Sequence, residues 1–175
     1  MHNASASLFI RREEAQDIEA IHALTERAFH GKPYSDGDEH DLITALRGAG
    51  ALMLSLVVED AGAIIGHVAI SPAFAKEGSE GWYALGPIAV EPTRQRQGIG
   101  GRLIRDGMDR LIAMKARGCI LIGDTNYYPR HGFVPRPDLA PDDQPAQHFM
   151  VRSLNGQAPE TVVDFHPIFP MTGIK

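Results

Sequence analysis

The sequence predicts an α/β (α+β) domain in which helices cover a sheet containing both antiparallel and parallel strand pairs. Three observations carry this. Two apolar, β-branched runs, residues 51–59 and 63–71, are joined by Asp60-Ala61-Gly62, which reads as a hairpin turn. A strand-like run at 82–90 is followed by a glycine-rich turn, an amphipathic helix and a short apolar run at 119–122. A right-handed crossover then makes those two runs parallel neighbours, a βαβ unit. Helical periodicity also marks two short segments in the first 48 residues.

Taken in order, residues 7–12 form a short first strand. From Asp17 a helix carries Ile18, Ile21, Leu24, Ala28 and Phe29 on one face and closes at Gly31. A second helix spans 38–47, with Leu42, Ile43 and Leu46 inward and Gly48 as its stop; between the two lies a polar turn, 31–37, holding Tyr34. The strand at 82–90 is interrupted by Gly86-Pro87, where a bulge or splay is expected because proline donates nothing to a ladder. A long helix starts at Gly98, with Ile99, Leu103, Leu111 and Ile104, Met108, Ile112 at helical spacings. Lys115 and Arg117 suit its C-terminal dipole, and Gly118 is expected at C′. Eight of the 12 prolines follow Tyr128, so the last quarter is expected to be loop-rich, with strands at 148–154 and 160–165.

The 175 residues amount to one domain, 1–175, and the composition, 43% hydrophobic and 22% charged, is that of a globular chain. A net charge of −5 speaks against a nucleic-acid binder that relies on bulk positive charge. One cysteine allows no internal disulfide, no apolar run is long enough to span a membrane, and residues 1–7 lack the pattern of a leader; the expectation is a soluble cytoplasmic protein. The charge is unevenly spread. Residues 94–117 hold seven cations (Arg94, Arg96, Arg102, Arg105, Arg110, Lys115, Arg117) against Asp106 and Asp109, a net +5 that leaves −10 for the rest. A local basic segment in an acidic chain suggests a small anionic ligand.

Gly98, Ile99, Gly100 and Gly101 stand inside that segment, between a strand and a helix. Amides at a helix start have no intrahelical partner, the dipole there favours negative charge, and glycines admit a phosphate close to the backbone. Two nucleotide signatures fail on spacing: Gly101 is followed by Arg102-Leu103, not Lys-Ser/Thr, and Leu103 stands where a dinucleotide fingerprint needs glycine or alanine.

Gln95-x-x-Gly98-x-Gly100 resembles the Q/R-x-x-G-x-G/A signature of the GNAT superfamily of N-acetyltransferases, which use acetyl-coenzyme A. Downstream, Tyr127-Tyr128-Pro129-Arg130-His131-Gly132-Phe133 is similar to the Y-x-x-x-G-F segment of the same superfamily. The resemblance covers roughly residues 8–133 and is strongest over 82–133. It implies the GNAT fold: a central mixed, mostly antiparallel twisted sheet, splayed between strands 4 and 5 and flanked by helices. It also implies that amides of Gln97, Gly98, Ile99, Gly100 and Gly101 hold the coenzyme pyrophosphate, with Gln95 and Arg96 of the same loop also binding the cofactor. The pantetheine arm would run along Ile88, Ala89 and Val90. Arg94, Arg96 and Arg102 all remain candidates for the phosphates.

Acetyl transfer needs a neutral amine, an aligned thioester, a stabilised oxyanion and a proton for the departing thiolate. By the resemblance Tyr128 is the catalytic acid; a phenol near pKa 10 keeps its proton above a thiol near 8.5. Tyr127 is read as packing. The strand before the glycine turn contains no carboxylate, so the base stays open among Glu39, His40, His67 and Asp124. Substrate-side residues are expected at Phe29, Tyr34, Glu39 and His67. Cys119 begins an apolar run and is read as inert, and the eight histidines show no paired ligand spacing, so no metal site is expected. The expectation is direct acetyl transfer to a primary amine of a small-molecule or protein acceptor, without nucleic acid or membrane and with a homodimer open. The alternative is a non-catalytic (acetyl-)CoA-binding sensor.

Overall fold

In the computed structural model, which describes residues 8–169, the predicted hairpin is formed by β2 (Leu54–Asp60) and β3 (Ala63–Ala75). Ala61 and Gly62 both take positive φ, 49° and 81°, the turn geometry whose twist matches the flanking strands. Strand β1 (Phe9–Arg12) pairs antiparallel with β2; Ser7 and the leader reading of residues 1–7 lie outside the described residues. β3 runs past the expected end at Ser71. Its pairing with β2 stops at Ile70, so Pro72 sits where one side of the strand is open, and proline is tolerated there.

Helices α1 (Ile18–Phe29) and α2 (Glu39–Gly48) pack on one face of the sheet, where Ile21 and Ile43 meet Val57 and Ala69. The residue that closes α2 in the left-handed conformation is Gly50 (φ 67°), not Gly48, which is still helical. Strand β4 (Trp82–Val90) pairs antiparallel with β3 and carries the expected bulge. Gly86 and Pro87 together face the single residue Ala69, since Ile70 pairs Leu85 while Val68 pairs Ile88.

Helix α3 (Ile99–Ala113) covers the other face, with Ile99, Leu103, Ile104, Met108 and Leu111 in one core with Leu54, Leu56, Val68, Ile70 and Leu121. Ile112, expected inward, is 47% exposed, and Ile18 of α1 is also exposed; each lies at the margin of its apolar stripe. The end of α3 departs from expectation. Lys115, not Gly118, is the C′ residue (φ 60°), and its N–H and that of Ala116 reach Ile112 O and Leu111 O at 2.9 and 3.0 Å. Gly118 instead opens β5 (Gly118–Ile122) and is glycine because of crowding: a Cβ there would lie 2.4 Å from Trp82 Cζ3 and 2.7 Å from Arg152 O.

β5 is parallel to β4, as the crossover requires, but the register covers only Trp82↔Gly118, Tyr83↔Cys119 and Ala84↔Ile120. Among the described residues, 85–90 of β4 have no partner on that side, so the sheet splays. The tail adds β6 (Val134–Pro135), β7 (Phe149–Ser153) and a two-residue β8 (Val163–Asp164). The sheet order is β1-β2-β3-β4-β5-β7-β6, with β8 on β3. Tail residues Leu139, Phe149, Phe165 and Phe169 share a core with Leu42 and Leu46 of α2. Among the described residues no helix is long and apolar enough to cross a membrane.

Candidate active site

Three elements converge on the gap between β4 and β5. α3 starts at its mouth with Gly98 as N-cap (φ 82°), no side-chain cap and no acidic residue in the first turn. The first-turn amides therefore keep their donors and the positive dipole end is not neutralised. A Cβ on Gly98 would meet nothing within 4 Å, so the turn is open outward. A Cβ on Gly100 would lie 3.5 Å from the Tyr127 hydroxyl, 3.8 Å from Val90 Cγ2 and 4.0 Å from Ile88 Cδ1. One on Gly101 would lie 3.2 Å from His131 Cε1. The end of β4, the glycine turn and the segment after β5 thus lie against one another.

The cations of the turn are not equivalent. Arg94 is bound to Asp60 at 2.8 Å and to Gln97 Oε1 at 3.1 Å. Arg102 donates to the Leu8 carbonyl at 3.1 Å. Arg96 is exposed, takes φ 63°, and makes no hydrogen bond or ion pair among the described residues. Gln95 donates from Nε2 to Val90 O at 3.2 Å, tying the turn to the strand that precedes it.

After β5 the chain turns at Asp124, whose carboxylate accepts Asn126 N–H at 2.8 Å and whose carbonyl accepts the N–H groups of Tyr127 and Tyr128 at 3.0 and 3.1 Å. Asp124 is thereby a turn residue that sets both tyrosines. The two rings meet edge-on, 5.0 Å apart, with Phe133 6.0 Å behind Tyr128 and Arg130 5.0 Å over Tyr127. Burial, then the neighbouring Tyr127, Tyr34 and Asp124, push the Tyr128 hydroxyl well above the usual phenol range. It therefore stays protonated throughout neutral pH. Burial also raises Tyr127, against the pull of Arg130. Gly123, which the sequence reading passed over, packs under Tyr128: a Cβ there would lie 2.4 Å from its Cε2. Its only signal was position, a glycine ending an apolar run before the tyrosines.

On the α1–α2 side, Phe29 and Tyr34 stack edge-on at 6.4 Å, and Tyr34 is exposed. Burial and the negative charge of Glu39 raise Tyr34, whose own field reaches Tyr128. Glu39 is only 6% exposed, and its Oε2 is buried without a hydrogen-bond partner among the described residues; Asp38 Oδ1 is likewise unpartnered among them, and burial raises its carboxyl. His67 is fully buried in β3, its Nε2 2.7 Å from Ser55 Oγ. Burial and Arg47 push it down to about 3, so it stays neutral inside the sheet face. The structure does not open it to an acceptor. Cys119 is also fully buried and its thiol is pushed up by burial, which makes it inert.

Residues 53–135 match the family model of the acetyltransferase (GNAT) domain. The chain is 32% identical over 155 residues to YjhQ of Escherichia coli K12, described as an uncharacterized N-acetyltransferase, a match covering 82% of this chain and 83% of that one. Among solved structures, it is similar to a GNAT family acetyltransferase from Brucella melitensis in complex with acetyl-CoA: TM-score 0.83, 40% identity, 94% and 99% of the two chains covered. It is also similar to YhbS from Escherichia coli in complex with CoA: TM-score 0.85, 28% identity, 97% and 96% covered.

Proposed function

The chain belongs to the GNAT acetyltransferase family, and on that premise we propose that it moves the acetyl group of acetyl-CoA directly onto a primary amine, with Tyr128 as proton donor to the leaving thiolate. The observation that carries this reading is the convergence of the open start of α3 and the Tyr127-Tyr128 turn on the gap where β4 and β5 part. The amides of Gln97, Gly98, Ile99, Gly100 and Gly101 bind the pyrophosphate, aided by the positive end of α3. Arg96 supplies the phosphate cation, since Arg94 and Arg102 already have partners. Gln95 positions the turn through Val90 O and is not itself a ligand. Ile88, Ala89 and Val90 offer the free strand edge along which the pantetheine arm forms strand-like hydrogen bonds.

The neutral amine nitrogen attacks the thioester carbonyl carbon, and the tetrahedral adduct collapses with cleavage of the C–S bond. Tyr128 protonates the departing sulfur, and the proton released from the new amide nitrogen returns through water to the tyrosinate. Phe29, Tyr34 and Glu39 form the acceptor side. The buried, unpartnered Glu39 oxygen favours an acceptor that brings a positive charge, in keeping with the −10 balance outside the basic segment. His67 supports the sheet behind this wall and takes no part as base. β4 has no carboxylate, so the bound ammonium loses its proton to water. The single buried thiol fits a reducing cytoplasmic setting.

The test is Tyr128→Phe, assayed by thiol release from acetyl-CoA across a panel of amines and by calorimetric titration with acetyl-CoA. The expected result is a loss of about 10²-fold or more in kcat with acetyl-CoA affinity retained. Unchanged turnover would sink the acid role. Tight acetyl-CoA binding with no thiol release from the wild-type chain on any amine would favour the non-catalytic sensor.

A further inference from the structure

We propose that His22 of α1 and His40 and Asp41 of α2 form a binding site for a divalent transition-metal ion of the zinc class, which clamps the two helices together. One donor atom from each residue lies within 4.8 Å of the other two. Both imidazoles turn the same nitrogen toward one carboxylate: His22 Nε2 is 3.9 Å from Asp41 Oδ1, and His40 Nε2 is 3.7 Å from Asp41 Oδ2. The rings meet edge-on, their centroids 4.5 Å apart.

Those separations are too long for hydrogen bonds. They are close to what a shared ion needs. Zinc sits about 2.0–2.1 Å from imidazole nitrogen and carboxylate oxygen, so two ligands at a tetrahedral angle stand about 3.3 Å apart. The two nitrogen–oxygen gaps exceed that by about 0.4 and 0.6 Å and run to different oxygens of Asp41, so one ion shared by all three residues needs rotamer adjustment, which His22 and Asp41, partly to largely exposed, are free to make. His40 is mostly buried, its Nε2 faces Asp41, and its Nδ1, on the far side of the ring, has no hydrogen-bond partner among the described residues.

Two imidazoles and a carboxylate suit zinc, cobalt, nickel or copper rather than magnesium or calcium, which prefer all-oxygen shells. Three protein ligands leave a fourth position for water. The site spans the helices on either side of residues 30–38, the loop carrying Tyr34, so the ion would hold the base of that loop. His22 and His40 come from different helices, 18 residues apart in sequence, and no short-range spacing marks them.

The test uses the tag-free full chain, freed of metal by chelator and titrated with Zn2+ by calorimetry and with Co2+ by visible absorption. The expected result is saturable binding of a single equivalent, with the Co2+ spectrum of a nitrogen- and oxygen-ligated ion and a raised thermal midpoint with Zn2+. His22→Ala and Asp41→Asn, both at solvent-accessible positions and checked for native circular dichroism, should each weaken binding about tenfold or more, about 1.4 kcal/mol. Absence of saturable binding in the wild-type chain overturns the proposal. So does binding that is equally tight in both variants, which would place the ion on other histidines.

Discussion

Replacing Gly123 with alanine should cripple turnover by moving Tyr128, the proton donor proposed above. A Cβ on Gly123 would lie 2.4 Å from Tyr128 Cε2 and 2.8 Å from Cδ2. Carbon atoms rest at about 3.5–4.0 Å, so ring or turn must yield by about 1 Å. The ring has little room to yield, because Tyr127 stands 5.0 Å away on one side and the buried Phe133 6.0 Å away on another. Gly123 has no positive φ, so alanine strains nothing in the backbone itself. A donor displaced by about 1 Å costs about 10²-fold in rate, equivalent to about 2.7 kcal/mol of barrier. The assay is kcat for thiol release at saturating acetyl-CoA and amine, measured for wild type, Gly123→Ala, Tyr128→Phe and the double variant. Gly123→Ala should fall about 100-fold with acetyl-CoA affinity within about threefold of wild type, and the double variant should be no slower than Tyr128→Phe alone. A wild-type kcat in Gly123→Ala refutes the reasoning, and so does a further 100-fold loss in the Tyr128→Phe background.

Two stability predictions follow from the same geometry. His67 titrates near 6.5 in the unfolded chain but is pushed down to about 3 by burial in the fold. The unfolded state therefore takes up the proton first as pH falls, and the contribution, intact above pH 6.5, is lost toward pH 3. The loss is about 1.4 kcal/mol per pH unit, or about 2 kcal/mol by pH 5. Urea unfolding of wild type and His67→Gln between pH 7 and 5 measures it, and identical pH slopes would count against it. Gly118→Ala forces a methyl to within 2.4 Å of the Trp82 ring and 2.7 Å of a backbone carbonyl. Overpacking of that kind costs about 1–3 kcal/mol, and the carbonyl cannot step aside, so the upper end is expected. For a chain of this size that is a fall of about 6–12 °C in calorimetric Tm; a drop under about 2 °C would show that β5 relaxes freely.

The hairpin, the crossover and the glycine turn were legible because each is a local pattern. Alternating apolar residues, a two-residue turn and a 3.6-residue period are properties of adjacent positions. Misreadings arose where a glycine has two possible reasons. Gly118 reads as a helix cap when only its neighbours in sequence are considered, yet Trp82 and Arg152, both distant in sequence, are what exclude a side chain there. Lys115 takes the left-handed position because α3 ends at Ala113, and the hydrogen bonds of Lys115 and Ala116 to Ile112 O and Leu111 O close the helix there. Ile112 reads as core from spacing alone, but the buried arc of α3 stops short of it.

The sequence by itself determined the family resemblance, the mixed sheet and the glycine-rich helix start on which the proposed phosphate site rests, because those depend on short-range order. Tertiary structure decided which polar groups are free to act. It withdrew Arg94 and Arg102 into contacts with Asp60 and Leu8, turned Gln95 back onto Val90, and made Asp124 a turn residue. It sealed His67 inside the sheet, left a Glu39 oxygen buried without a partner, and brought His22 to His40. Whether a side chain is available for chemistry is set by its partners and its burial, and these come from residues far away in the chain.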